Sequence, residues 1–357
     1  MKQFSSLQKY LFLFCLLCLS SLSFSQLKTF NLQKTEKHFS IADGLSNRQI
    51  NSSFIDKNKQ IWFLTDNKIG LFEFGKINNF LLSKTFSNRG FNSAYEDANG
   101  NFWVSENFEW YYPFNVQRCV IFNPTSHQTI PVESYVHQKI AIHSIISDAQ
   151  HQIFIGTKDG QVFRFDVKKK TFQLISTFSK MPVKLFYANK RGLFACLEKD
   201  SRRDNTLIQL NYEGKIINQT DLKGVFVRSM LEVENKLFYV TLGLRKIGLN
   251  EIGGNFKKSF PTSVNAYLSN ITYSAFNKML IINDGKIITF YDKNYNLILQ
   301  ENYNFETHEI AHDANGNFIL STNNGVHIMQ FNERKFRIFS KITIPRISMK
   351  IFHAEIF

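Results

Sequence analysis

Apolar and polar residues alternate along this chain in short runs separated by polar turns. "IAIHSIIS" (residues 140–147) alternates as a strand with one buried face does. "DAQHQ" is a polar turn, "IFIGT" a short apolar strand, and "KDG" a second turn signal before "QVFRFD". "VKKK" turns again and "TFQLIST" closes the unit. This reads as four strands joined by hairpins. The same order appears near the start, in "QINSSFID", "QIWFLT", "IGLFEF" and "NNFLLS". It appears again near the end, in "HEIAHD", "NFILST", "GVHIMQF" and "KFRIFS". No stretch after residue 26 shows a helical period.

Aligning the second strand of each unit exposes a long-range repeat. Trp62, Trp103, Phe154, Phe194, Phe238, Leu280 and Ile319 occupy one position, at spacings of 41, 51, 40, 44, 42 and 39. Six residues before these anchors lie Asp56, Asp97, Asp148, Ala188, Glu232, Ser274 and Asp313. Seven repeats of roughly 43 residues, each four strands long, predict an all-β fold. The expected architecture is a seven-bladed β-propeller of four-stranded antiparallel blades, stacked radially to bury the inter-blade faces. The phase also predicts ring closure. "KHFSI" (37–41) and "KFRIFS" (335–340) both sit at the fourth-strand position. One of them should complete blade seven, with the N-terminal segment as the clasp.

Composition fits one folded domain. The chain has 357 residues, 43% hydrophobic and 20% charged, with 37 Phe and only six Pro. Net charge is +14, but Lys and Arg fall in ones and twos at predicted turns, which reads as a solvated surface and not a nucleic-acid face. Residues 1–25 carry Lys2 and Lys9 before "YLFLFCLLCLSSLSFS". That is a secretory signal peptide with cleavage near Ser25; an uncleaved anchor is the alternative. Its apolar core is too short for a typical span, and no stable membrane span is expected after cleavage. The segments are then a lead-in at 26–37, the propeller at 38–340 and a tail at 341–357. Cys119 and Cys196 fall in different repeats and are expected as buried free thiols.

The first repeat resembles the two-component regulator propeller family. Asp43 to Asn47 match its Asp-Gly-Leu-Ser-Asn element. Asp56, Ile61, Trp62 and Thr65 match its Asp-x-x-Gly-x-Ile-Trp-Ile-Gly-Thr element, with Lys59 in place of Gly, and Gly70-Leu71 follow. The resemblance covers roughly residues 38–340 and fades in repeats four to six. It implies a periplasmic or secreted sensor that binds an oligosaccharide or another small molecule and is not itself an enzyme. Similar proteins are sensing regions of Bacteroidetes signalling proteins. They usually continue through a second propeller, an immunoglobulin-like domain and one membrane helix to a histidine kinase or DNA-binding effector. This sequence stops after one propeller, so output is expected through a membrane histidine kinase or a missing C-terminal effector. It is either a stand-alone exported propeller or the front piece of a longer product. A protein-interaction scaffold and a carbohydrate-active enzyme remain as alternatives.

Candidate sites are few. The paired "DANGN" stretches at Asp97 and Asp313 supply hard oxygen ligands, but position twelve of a calcium loop would be Phe108 or Asn324. They read as hairpin turns capped by Asp, with Gly at φ > 0. Repeat two is long, and its excess contains Glu109, Trp110, Tyr111, Tyr112 and Arg118, which suit stacking and hydrogen bonding on a sugar ring. Repeat four inserts Arg202 and Arg203, suited to an anionic group. His127, His137, His143 and His151 cluster in sequence without metal-ligand spacing. No cofactor, metal or catalytic motif is expected.

Overall fold

A computed structural model describes residues 32–84, 90–106, 119–136, 140–198, 204–243, 245–262 and 269–333. Residues 35–330 form one compact unit. The terminal segments form another, of which only 32–34 and 331–333 are described.

The described chain folds into seven four-stranded antiparallel sheets. Blade one runs β2 (Ser52–Ile55), β3 (Ile61–Leu64), β4 (Lys68–Glu73) and β5 (Lys76–Leu81), hydrogen-bonded in that order. The first strands of the next five blades are β6 (Ser93–Glu96), β10 (Ile142–Ser147), β14 (Val183–Asn189), β18 (Phe226–Val233) and β22 (Ser269–Ser274). Blade seven is different. It contains β26 (Thr307–His312), β27 (Phe318–Thr322), β28 (Gly325–Glu333) and, outermost, β1 (Leu32–Phe39). The clasp is therefore the N-terminal strand, which begins inside the segment assigned to a lead-in. "KFRIFS" lies outside the described residues. At this junction Gly325 N–H donates to the Arg48 carbonyl at 2.7 Å. Gly325 has φ +97°, and a Cβ there would overlap the Phe39 carbonyl oxygen.

The anchors are buried between blades. Trp62 packs with Phe102 and Phe122 of blade two, and Trp103 with Phe165 and Phe172 of blade three. Each indole N–H is satisfied by the Asp six residues earlier. Trp62 donates to Asp56 at 3.0 Å and Trp103 to Asp97 at 3.1 Å. The other Asp oxygen caps the hairpin. Asp97 accepts from the backbone of Asn99 and Asn101, and Asp313 from Asn315 and Asn317. The fourth turn residue is left-handed whether it is Lys59, Gly100, His151 or Gly316. The "DANGN" stretches are thus equivalent hairpins of blades two and seven.

The repeats that lack Asp have other turns. Blade four closes at Asn189↔Gly192 and blade five at Val233↔Lys236, each around two residues. Glu234 and Asn235 both have positive φ, as a type I′ turn demands. The five-residue loop that the Asp caps is absent there, and in blade four Asn189 Oδ1 instead accepts from Arg191 N–H at 2.9 Å. The expectation of no helix needs one correction. Val132–Val136 is a five-residue α-helix, α1, that buries Val132 and Val136 in the core around Trp103. It is too short to show a period in sequence. Cys119 and Cys196 are buried free thiols in separate blades.

Candidate functional site

The first strand of each blade is an edge strand of its sheet, and, except between blades one and two, it packs against the first strands of the neighbouring blades. It is antiparallel to the second strand, so its start shares one end of the sheet with the turn between strands two and three. We call this the upper end. The two sequence insertions leave and rejoin their blades there. One runs between β7 (Phe102–Ser105) and β8 (Cys119–Asn123), the other between β15 (Gly192–Glu198) and β16 (Asn205–Leu210). Glu109, Trp110, Tyr111, Tyr112 and Arg118, with Arg202 and Arg203, lie outside the described residues. Their positions relative to one another are therefore not part of the site described below.

At the upper end, four inner strands carry a register irregularity, in blades three, four, five and seven. The extra residues are His143, Phe186, Arg228 and His308. Bulges of this kind re-aim side chains and are common beside functional sites. Between blades three and five they gather charge. His143 Nε2 lies 3.1 Å from Glu198 Oε2. Lys184 Nζ stands 5.1 Å from the Phe186 ring centroid and 6.0 Å from that of Phe226 in the next blade. Burial holds the Lys184 ammonium below its ordinary range, partly offset by Glu198 and Cys196. Burial likewise brings Arg228, two residues beyond Phe226, down to about 10. Across the ring, burial pushes the Glu309 carboxyl up to about 6. Tyr95 of blade two is pushed up to about 12 by burial and by the nearby Glu309 charge. Tyr95 also packs against the cores of blade pairs two–three and three–four, so its side chain reaches across several blades near the axis.

The sequence held a signal for this arrangement. Ten residues before the seven anchors lie Ser52, Ser93, Ser144, Lys184, Arg228, Asn270 and Glu309. Every one is polar, in a strand otherwise rich in apolar residues. The ring is neutral over blades one to three, cationic at four and five, and acidic at seven. Cation, carboxylate and aromatic faces together can hydrogen-bond and stack on a small polar ligand.

The His residues do not gather. His127 stacks on Phe80 at 4.1 Å, His143 pairs with Glu198, and His151 forms the blade-three hairpin. His137 lies outside the described residues. Among the described residues no group of three or more His, Cys, Asp or Glu could hold a metal, and no helix is long and apolar enough to cross a membrane.

No family model matches the sequence, and no curated protein matches it. Solved structures do. Virginiamycin B lyase from Staphylococcus aureus superposes with a TM-score of 0.59 at 12% identity, over 84% of this chain and 99% of the lyase. The extracellular domain of a hybrid two-component system from B. thetaiotaomicron gives 0.60 at 15% identity, over 89% of this chain and 45% of that one. That of a one-component system from the same organism gives 0.57 at 13%, over 85% and 44%. The chain spans less than half the length of these two extracellular domains. The likeness is one of fold, shared with a lyase and with extracellular domains of signalling systems.

Proposed function

We propose that this protein is an exported, ligand-binding sensor propeller that is not itself an enzyme and takes its ligand at the upper end of the axis. The observation that carries the reading is the all-polar ring, with Lys184, Arg228 and Glu309 held at partly buried positions. Burying ions costs several kcal/mol each, and packing alone does not call for it. The extracellular domains of B. thetaiotaomicron signalling systems support an exported sensor over an internal one. The ligand is a small polar molecule or oligosaccharide, and output passes to a membrane histidine kinase or a C-terminal effector.

Isothermal calorimetry with neutral and acidic oligosaccharides, followed by product chromatography, tests this. Binding without turnover, weakened at least tenfold in Lys184→Ala, is the expected result. Turnover would make the protein an enzyme. Absence of binding together with a stoichiometric co-purifying protein would make it a scaffold.

A further inference from the structure

Among the described residues, the seam between blades seven and one contains an acid with no paired cation. Glu309 on β26 is the cross-strand partner of Ser321 on β27. Both side chains lie on the blade-seven face that meets blade one. Two residues further along or back on the same strands, Ala311 and Ile319 belong to that inter-blade core, with Phe63. From blade one, Ser53 is the cross-strand partner of Phe63 and so projects into the same seam. Ser53 N–H donates to Glu309 Oε2 at 3.3 Å, and the Ser52 side chain adds a hydrogen bond. The Ser53 and Ser321 side chains are buried, at 3% and 0% exposure. Among the described residues, neither hydroxyl oxygen has a hydrogen-bond partner.

No Lys, Arg or His among the described residues sets the charge of Glu309. The opposing influences are burial and the two serine hydrogen bonds. Its titratable neighbours are Tyr95 and, one residue before it, His308, whose Nδ1 is engaged by the Ile50 carbonyl at 2.9 Å. A partly buried carboxylate that is ionised at neutral pH favours a compensating charge, and buried hydroxyls need partners.

We propose that this seam binds one monovalent cation of sodium or potassium size through the Glu309 carboxylate and the hydroxyl oxygens of Ser53 and Ser321. One carboxylate among neutral oxygens balances a single charge, whereas calcium sites commonly use several carboxylates. The ion would lie at the ring-closing junction and lock blade seven to blade one. This site is separate from the Lys184 side of the axis, and its test uses no organic ligand.

The experiment is thermal unfolding of the whole chain at pH 7.5 in sodium, potassium or N-methyl-D-glucamine chloride at equal ionic strength. Sodium or potassium should raise the midpoint saturably, by roughly 3 °C or more. Glu309→Gln and, independently, Ser321→Ala should remove most of that increment, with circular dichroism confirming that each variant is folded. If Glu309→Gln does not fold, Ser321→Ala alone decides. Equal midpoints in the three salts, or an increment that survives in the folded variants, would overturn the proposal and leave the seam filled by water.

Discussion

Identical hairpin sequences should differ sharply in energetic weight. Asp97→Ala removes the acceptor for Asn99 N–H, Asn101 N–H, the Asn101 amide and the Trp103 indole. Asp97 and Trp103 are both fully buried, so water cannot replace the lost indole bond without opening the seam between blades two and three. Each buried donor left unmade costs about 1–3 kcal/mol. Two such donors, the indole and Asn101 N–H, give about 3–5 kcal/mol after partial relaxation. Asp313→Ala breaks the same backbone bonds in blade seven, to Asn315 and Asn317. There the Asp is partly exposed and the anchor is Ile319, which has no N–H to strand. Its cost should be that of an ordinary cap, about 1 kcal/mol. Urea unfolding followed by circular dichroism measures both, and a cycle with Trp103→Phe should return a coupling of about 1–2 kcal/mol to Asp97. Costs for the two Asp variants within about 0.5 kcal/mol of each other would refute the indole bond as the source of the difference.

Glu309 should make stability depend on pH. Its folded value of about 6 exceeds the ordinary 4.5, so between these values the folded state holds more protons than the unfolded one. In cation-free buffer, stability should therefore fall as pH rises from about 4.5 to 6. The full cost above that window is about 2 kcal/mol. Denaturant titrations across pH should show this component in the native protein and not in Glu309→Gln. Gly325→Ala should destabilise by about 2–4 kcal/mol, because φ +97° and the Phe39 carbonyl both exclude a Cβ. The matching change at Gly75, φ +77° with nothing within 4 Å, should cost about 1 kcal/mol by the same urea assay.

The architecture was legible because its determinants are local and repeated. Asp56 and Trp62 form one hydrogen-bonded hairpin, and the same offset recurs at Asp97 and Trp103. The phase of "KHFSI" was enough to place the clasp, since β1 covers it up to Phe39. The site was less legible because no blade contains it. His143 of blade three and Lys184 of blade four meet at Glu198 only because the ring brings their blades together, and they lie far apart along the chain. The two insertions break the period and so stand out in sequence, whereas the polar column at the axis keeps it. Bulges are also silent in sequence, since one extra residue is lost within the spread of repeat lengths and, in blades four and five, is offset by the shorter turn.

Those bulges show what the fold holds constant. In blades one and two, the residue ten before the anchor pairs with the residue two after it, as in Ser52↔Leu64 and Ser93↔Ser105. Blades four and five replace the five-residue turn by two residues, which shifts the lower register by one. Left alone, that slip would carry to the upper end and present the opposite set of side chains to the neighbouring blade. In blade four the irregularity between Leu185 and Tyr187 reverses it, and Lys184 pairs with Cys196, again ten before and two after the anchor. In blade five the irregularity between Val227 and Ser229 restores Val227↔Thr241, the same frame. In blades four and five the lower hairpins have thus diverged while the upper frame has been kept; in blade six the shifted register runs through to Asn270↔Asn283. Bulges weaken the ladder locally, so their placement makes sense if orientation at the upper end matters more than continuity below it. Inserting one residue beside Phe186 should then slip the upper half of β14 by one residue, place Lys184 opposite Leu197 and turn it to the other face of the blade, abolishing ligand binding while circular dichroism still reports a folded β protein. Retained binding in that variant would show that the upper register is not what positions the site.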